Sequence, residues 1–563
     1  MTGTGDVVDS RFGAAPMENE VGMFAQRANS FDPALVTEEL ELTTVRNLVT
    51  EVECRVHPDP RPVAVRTTNL RTLTTLLDEA GIPHFVVPAF NDRGTAIAVS
   101  EDHRGKVSKA ILGASPRPLV TQVAPKPPVL RSSVDPQSTQ GRQALAGASV
   151  LKTWWPLTDS TRSIVFGPSY AVDLEFWKTD TWREGVYTHS EMDDAARQNR
   201  LVAPRANRVA RVVEAGRTRV TDDLGTLSRL TGGVALGVPV VAHPDLVQPT
   251  PDQVTFPIDV VYTWVDGTDA EWRRRRDAAS GADGHREAAS DARFMSRDEL
   301  RYSLRSLYAN APWVNNVFIV TDGQRPRWLV DAPGVTVVDH REIFRDPTML
   351  PVFNSHAIEA NIHRIPGLSE HFVYFNDDMF IGRPVTPNVF FHPNGIAKHF
   401  PSQSRVPFSQ DSTWDTPVDA ATKNVRRLML QTFGVAISQV MEHAPYALRR
   451  SVLEEMEERF PEDFAVTSAS KTRSPGDLNI ASNFAHHFGF QVGKAVPATM
   501  SFAYAGVSAR DLKARLDRLL ARRDRDAFCL NDSFSEPEDV EAQLAVITPF
   551  LEAYFPVASP WEK

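Results

Sequence analysis

Residues 258–269 read IDVVYTWVDGTD, and the fold is read outward from this stretch. IDVVYTW is a run of β-branched and aromatic residues closed by the turn pair Asp266-Gly267, which predicts a buried strand. Downstream, SRDELRYSLRSLYANAPW carries Ser296 and Glu299 in capping-box spacing and sets Leu300, Leu304, Leu307 and Tyr308 on one face, which predicts a helix. NVFIVTDG and VTVVDH read as strands, FNSHAIEANIHRI as a helix, and HFVYFNDD, ending at Asp378, as a strand again. Strands alternating with helices predict an α/β core with a mostly parallel, doubly wound sheet. Such sheets bind ligands beyond the carboxyl ends of their strands. The polar clusters VDGTD, TDG and NDD all fall at those ends.

Upstream the pattern is different. Residues 1–40 show no clear period and are expected as a loose leader. NLRTLTTLLDEAG sets Leu70, Leu73, Leu76 and Leu77 on one helical face and stops at Gly81. IPHFVVPAF and TAIAVS then read as strands and HRGKVSKAIL as a helix, a small α/β unit. The Pro-, Ser- and Gln-rich residues 115–150 read as a linker or surface excursion. SIVFGPSYAVDLEFWKTD reads as further strands, and a Pro-punctuated stretch from His243 to Pro257 separates the halves. The expected organisation is an N-terminal α/β accessory region over 41–250, a catalytic domain over 255–540 and a C-terminal tail over 541–563. Trp154, Trp155 and Trp177 read as core, with a sugar platform as the alternative.

At 563 residues and 42% hydrophobic, the chain can bury a sizeable core. A net charge of -10 argues against nucleic acid as the main partner. Arg outnumbers Lys and Ala, Val and Pro are plentiful, which points to a GC-rich bacterial genome. Cys54 and Cys529 are too few and too distant for a disulfide framework or zinc site, and their scarcity fits a reducing compartment. The N-terminus lacks a basic-then-apolar signal, and no apolar run has membrane-spanning length, so the expected location is cytoplasmic.

Asn376, Asp377 and Asp378 directly follow the apolar HFVYF. Two carboxylates at a strand end suit a hard divalent cation, and an Asx-capped turn is the alternative. Asp266 and Asp269 suit a nucleotide or metal, and Gly267 a close phosphate, against a plain tight turn. Tyr262 and Trp264 alternate on their strand and suit stacking on a base or sugar, or core packing. Asp322-Gly323 ends the next strand with the same ambiguity. Arg301 could neutralise a diphosphate or face solvent. His356, Glu359, His363 and Arg364 fall on one predicted helix, where Glu359 and His363 share a face as a metal pair or a surface pair. His443 suits a general base near neutral pH, or a structural role. Asn531 and Asp532 read as a cap or as part of a metal or phosphate site.

Taken in order, these segments resemble the Stealth protein family of bacterial capsule and exopolysaccharide phosphotransferases, which includes the catalytic core of an animal N-acetylglucosamine-1-phosphotransferase. Four blocks carry the resemblance: IDVVYTWVDGTD (258–269), RDELRYSLRSLYANAPWVNNVFIVTDGQRPRWL (297–329), LPVFNSHAIEANIHRIPGLSEHFVYFNDDMFIG (350–382) continuing to MEHAPYALRR, and CLNDSFSE (529–536). The resemblance implies a nucleotide-sugar-transferase-like fold, with hexose-1-phosphate passing from a UDP-sugar to a hydroxyl of an oligosaccharide or polysaccharide and UMP released. It implies Mg²⁺ or Mn²⁺ on Asp377 and Asp378, with Asn531 and Asp532 completing the metal site. His443, Asp266 and Arg301 are its implied catalytic residues. It adds Arg364 to the polar site, and together with Tyr262, Trp264, Gly267 and Asp322, read from the strand ends, this residue makes up the expected donor contacts. It also allows a place beside a membrane assembly complex at the inner face, and a homo-oligomer. A glycosyltransferase that releases UDP and a non-catalytic assembly protein are the alternatives.

Overall fold

The computed structural model describes residues 22–30, 40–46, 51–89, 94–123, 134–179, 200–279, 294–409, 412, 415–532 and 539–563. It is a mixed α/β structure. Most of the expected leader, and the SFSE end of the fourth block, lie outside the described residues.

The front half is built on a nine-stranded mixed sheet centred on Thr95–Ser100 and Val172–Thr179, which run parallel. Helix Pro62–Glu79 covers it with Leu70, Leu73 and Leu77, each at most 1% exposed. The stretch expected as a linker is partly integral. Leu119–Gln122 pairs with Val150–Trp154, and Thr139–Gly147 is a helix capped by Ser138. Pro and Ser punctuate short elements here rather than abolish them. Trp154, Trp155 and Trp177 are core residues.

In the back half the strands that build the site are β1 (Ile258–Thr263), β2 (Val317–Thr321), β3 (Val335–Asp339), β4 (His371–Asn376), β5 (Met379–Ile381), β6 (Tyr446–Arg449), β7 (Phe502–Gly506) and β8 (Ala527–Asn531). The main sheet has the order β3-β2-β1-β4-β6. Its first four strands are mutually parallel, and β6 lies antiparallel to β4. Strands β1, β2 and β4 are apolar along nearly their whole length, as burial on both faces requires. A second sheet, β5-β8-β7, begins two residues beyond β4. Asp377 and Asp378 are that two-residue link.

Helix α1 (Glu299–Asn310) joins the sheets. Leu300, Leu304 and Leu307 enter the main core, as the spacing predicts. The adjacent stripe binds β5: Ser303 Oγ donates to the Met379 carbonyl, Ser306 Oγ accepts from Ile381 N, and Asn310 Nδ2 donates to the Ile381 carbonyl. The expected capping box is displaced. Ser296 Oγ accepts from Asp298 N, the Glu299 carboxylate accepts from Arg297 N, and Asp298 takes a left-handed φ of 64°. The segment expected as one helix around His356 breaks after Glu359 and resumes as the short turn Ile362–Arg364. Glu359 and His363 therefore do not meet. Glu359 accepts from Ala481 N and Ser482 N, whereas His363 pairs with Glu457.

The segment expected as a C-terminal tail is structural. Helix α2 (Val540–Tyr554) packs on β8, and Trp561 is fully buried. Trp561 stacks on Phe24 at 4.5 Å between centroids, which pins helix Met23–Asn29 to the back half. Glu562 accepts from Arg301 Nε at 2.6 Å and Arg305 Nη2 at 2.7 Å. Burial alone would raise the Glu562 carboxyl, but the two guanidiniums override it and hold it below the ordinary glutamate range. A carboxyl depressed on folding stabilises the fold above its unfolded pKa, and that contribution fades as pH falls through the folded value. Glu562→Gln is therefore expected to cost about 3 kcal/mol at neutral pH. Melting curves across pH test this: the gap to wild type should close below about pH 4.

Candidate functional site

A cleft of about 410 Å³ opens at the carboxyl edge of the main sheet, where it meets the second sheet. That volume lies in the range of small-molecule sites. Its polar wall comes from strand ends: Asn376, Asp377 and Asp378 after β4, and Asn531 and Asp532 at the end of β8. Leu530 N donates to the Asp378 carbonyl and locks the two strand ends together. His443 enters just before β6, with Pro445 between them.

These side chains touch. His443 Nε2 lies 3.7 Å from Asp378 Oδ2, 3.3 Å from Asn376 Nδ2 and 3.4 Å from Asn531 Nδ2. Asn531 Nδ2 also donates to Asp378 Oδ2 at 3.3 Å, and its Oδ1 accepts from Tyr504 OH at 2.9 Å. On the far side of the imidazole, Tyr446 OH is 3.3 Å from Nδ1. With both amides presenting N–H groups to Nε2, that nitrogen accepts, and Nδ1–H donates to Tyr446. The Nε2 lone pair of His443 is thus engaged by these two amides at the edge of the cleft.

The acidic side is crowded. Glu299, the first residue of α1, is buried beside Asp377 and Asp378. Enclosure, then Glu299 and Asp378, push the Asp377 carboxyl well above the ordinary carboxylate range. Enclosure likewise lifts Glu299 to about 7, against the pull of Arg297. Arg297 spans the group, with Nη2 at 2.6 Å from Asp532 Oδ2 and 2.6 Å from Gln543 Oε1. Asp378 Oδ1 is buried with no hydrogen-bond partner. Cys529 lies within 4.8 Å of the Asp378 and His443 ligand atoms, but enclosure and Asp378 push its thiol up, so it keeps its proton.

The cleft does not hold every residue singled out from the sequence. Asp322 and Trp264 line it with the Asp377–Asp378 group. Asp266 does not: its carboxylate accepts from Thr268 N and Oγ and closes the turn. Gly267 is explained by the protein itself, because a Cβ there would lie 2.1 Å from the Phe294 carbonyl oxygen. Tyr262 is fully buried and hydrogen-bonds Ser303, so its ring offers no face to a ligand. Arg301 is held by Glu562, and Arg364 pairs with Glu457 on a separate surface hollow. Sequence reasoning passed over Arg297, Tyr446 and Tyr504, and took Glu299 for a cap. The signal for Arg297 and Glu299 was present, since both stand in the polar run SRDELR ahead of α1.

The fold and cleft define an α/β protein with a polar site at the carboxyl edge of a parallel sheet. Conserved region 1 of Stealth proteins matches residues 256–284, region 2 matches 293–399, region 3 matches 442–490 and region 4 matches 517–563. The chain is 47% identical over 526 residues to the exopolysaccharide phosphotransferase SCO6023 of Streptomyces coelicolor, covering 90% of this chain and 84% of that one. A second protein of that organism, exopolysaccharide phosphotransferase SCO6021, is 45% identical, with 90% and 92% covered. Exopolysaccharide phosphotransferase CpsY of Mycobacterium tuberculosis is 31% identical, with 99% and 95% covered. The chain belongs to the Stealth family.

Gly267→Ala is expected to cost about 2 kcal/mol by forcing Phe294 away. Thermal melting tests this, and an unchanged melting temperature would refute the close-approach account.

Proposed function

We propose that this chain transfers hexose-1-phosphate from a UDP-sugar to a hydroxyl of an oligosaccharide or polysaccharide, releasing UMP and leaving a phosphodiester link in an exopolysaccharide or capsule. The observation that carries the reading is the cluster of Asp377, Asp378, His443 and Asn531 in one cleft. The printed names of the relatives, exopolysaccharide phosphotransferases, support the reaction class. A doubly wound, nucleotide-sugar-transferase-like core is part of this reading. The order β3-β2-β1-β4 reverses at β1, where such sheets bind nucleotides.

The donor set fits a hard divalent cation, Mg²⁺ or Mn²⁺. Asp377 and Asp378 would hold it, with Asn531 and Asp532 at hand. The mutual repulsion of the carboxylates and the partnerless Asp378 Oδ1 are what a cation would relieve. When bound, it would neutralise charge developing on the phosphoryl oxygens. The protonated Cys529 thiol is a poor ligand for such an ion.

The chain's own groups supply the rest. The acceptor hydroxyl displaces the Asn376 and Asn531 amides from Nε2 of His443, which takes the hydroxyl proton as the hydroxyl oxygen bonds to the β-phosphorus. The bond from that phosphorus to the oxygen of UMP breaks, and UMP leaves. Asn376, Asn531 and Tyr446 hold the imidazole in the accepting tautomer. Arg297 stays tied to Asp532, a fixed positive charge beside the transferring group. A peripheral place at the inner face of a membrane belongs to this reading. No described helix is long and apolar enough to cross a membrane.

Purified protein with a UDP-sugar, Mg²⁺ and an oligosaccharide acceptor is expected to release UMP, while UDP release would overturn the reading. His443→Ala should keep UDP-sugar binding and lose about 10²–10⁴-fold in kcat. Equal loss of binding and turnover would make His443 structural. Stabilisation of the fold by UDP-sugar with Mg²⁺ should vanish in Asp378→Ala.

A further inference from the structure

The cleft has two unlike ends. Away from the acidic cluster its lining turns aromatic and aliphatic, with Phe294, Val352 and Phe353 exposed to the cavity. Trp272 backs this wall, with its ring 5.1 Å from that of Phe294 and 5.3 Å from that of Phe353. Polar side chains interrupt it, among them Asp322 after β2 and His340 after β3, with Ser355 and Arg473 also on the lining. Neither Asp322 nor His340 is used by the phosphoryl chemistry above.

Strand register fixes where these groups stand. Thr321 pairs with Asp339, Val320 with Thr263, and Thr263 with Asn376. Continued past the strand ends, that register sets His340 beside Asp322, and Asp322 and Asp378 on either side of Val265. His340 and Asp378 are then three strand spacings apart, about 14 Å. That span is comparable with the reach of a nucleoside diphosphate from base to terminal phosphorus. The ligand's phosphates belong at the Asp378 end, with the cation-holding carboxylates, so its flat apolar part falls at the other.

His340 has the marks of a group waiting for a partner. It is 4% exposed, lines the cleft, and its Nδ1 is buried without a hydrogen bond. Burial holds the imidazole down at about 4, with Asp322 and Asp339 pulling the other way, so the ring is neutral at physiological pH. A neutral imidazole offers one donor and one acceptor. Arg275 engages Oδ2 of Asp322 at 2.8 Å, which fixes the carboxylate while Oδ1 keeps its accepting capacity.

We propose that the end of the cleft formed by Phe353, Asp322 and His340 is the nucleobase subsite, in which His340 and Asp322 read the polar edge of the base. This rests on the UDP-sugar reading above and adds a direction to it. The donor lies across the strand ends from β3 to β4, base over His340 and sugar phosphate over Asp378. His340 is a binding residue here and takes no part in bond making.

Calorimetric titration of the full chain in Mg²⁺ with UDP and with inorganic pyrophosphate tests the subsite. His340→Leu is expected to weaken UDP about tenfold, the worth of one good hydrogen bond. Pyrophosphate, which has no base, should bind the variant as it binds wild type. His340→Gln keeps a donor and an acceptor and should recover part of the loss, which guards against a variant that merely unsettles the fold. UDP binding indifferent to both substitutions would sink the subsite alone. Equal weakening of UDP and pyrophosphate would also sink it, because the effect would not depend on a base. Failure of wild-type protein to bind UDP would sink the donor reading, and the subsite with it.

Discussion

The cleft depends on one constraint: Asp377 and Asp378 are the whole connection between β4 of the main sheet and β5 of the second. Two carboxylates are thereby forced into the seam between two β-layers, with Glu299 brought in by α1. Enclosure chiefly, and the repulsion of like charges after it, lifts the Asp377 and Glu299 carboxyls. A fold bears such a cost where the charges have work to do. Arg297 offsets part of it.

Everything else in the back half holds that seam in shape. The serine and asparagine stripe of α1 fastens β5, and the leucine stripe of the same helix fills the main core. At the far end of the sheet, buried Asp259 accepts from Asn315 Nδ2, Asn316 N and Ser369 N, tying β1 to the entries of β2 and β4. The front half and the last residues contribute through Phe24, Trp561 and Glu562. The back half is thus braced from two sides, by Phe24, which lies outside the four matched regions, and by Trp561 and Glu562 at the end of region 4.

The sequence made the parallel strands legible because their apolar runs are long and unbroken, and NDD stood where a ligand-binding strand end should be. It did not show which way polar turn residues point. Asp266 and Asp378 look alike as letters, yet one folds back on Thr268 and the other faces the cleft. Asp322 was legible as a strand-end residue, whereas His340 was not, because its importance comes from register across three strands. Arg301 and Arg364 were misplaced for another reason. Their partners, Glu562 and Glu457, are distant in sequence, and only the folded chain brings them together. The stretch read as a linker or surface excursion is partly integral, and the expected tail is buried at Trp561, because Pro-rich composition and terminal position say little about burial.

The joint between β4 and β5 has no slack. Two extended residues reach only about 7 Å, so the second sheet cannot swing outward without dragging both carboxylates with it. The acidic wall behaves as an anvil, fixed relative to both layers. The aromatic wall is carried instead by Phe294 and Phe353, which both pack on Trp272 through side chains rather than through a strand ladder. Whatever accommodation a bulky ligand requires must come from that wall, and the charged end stays in register while it does.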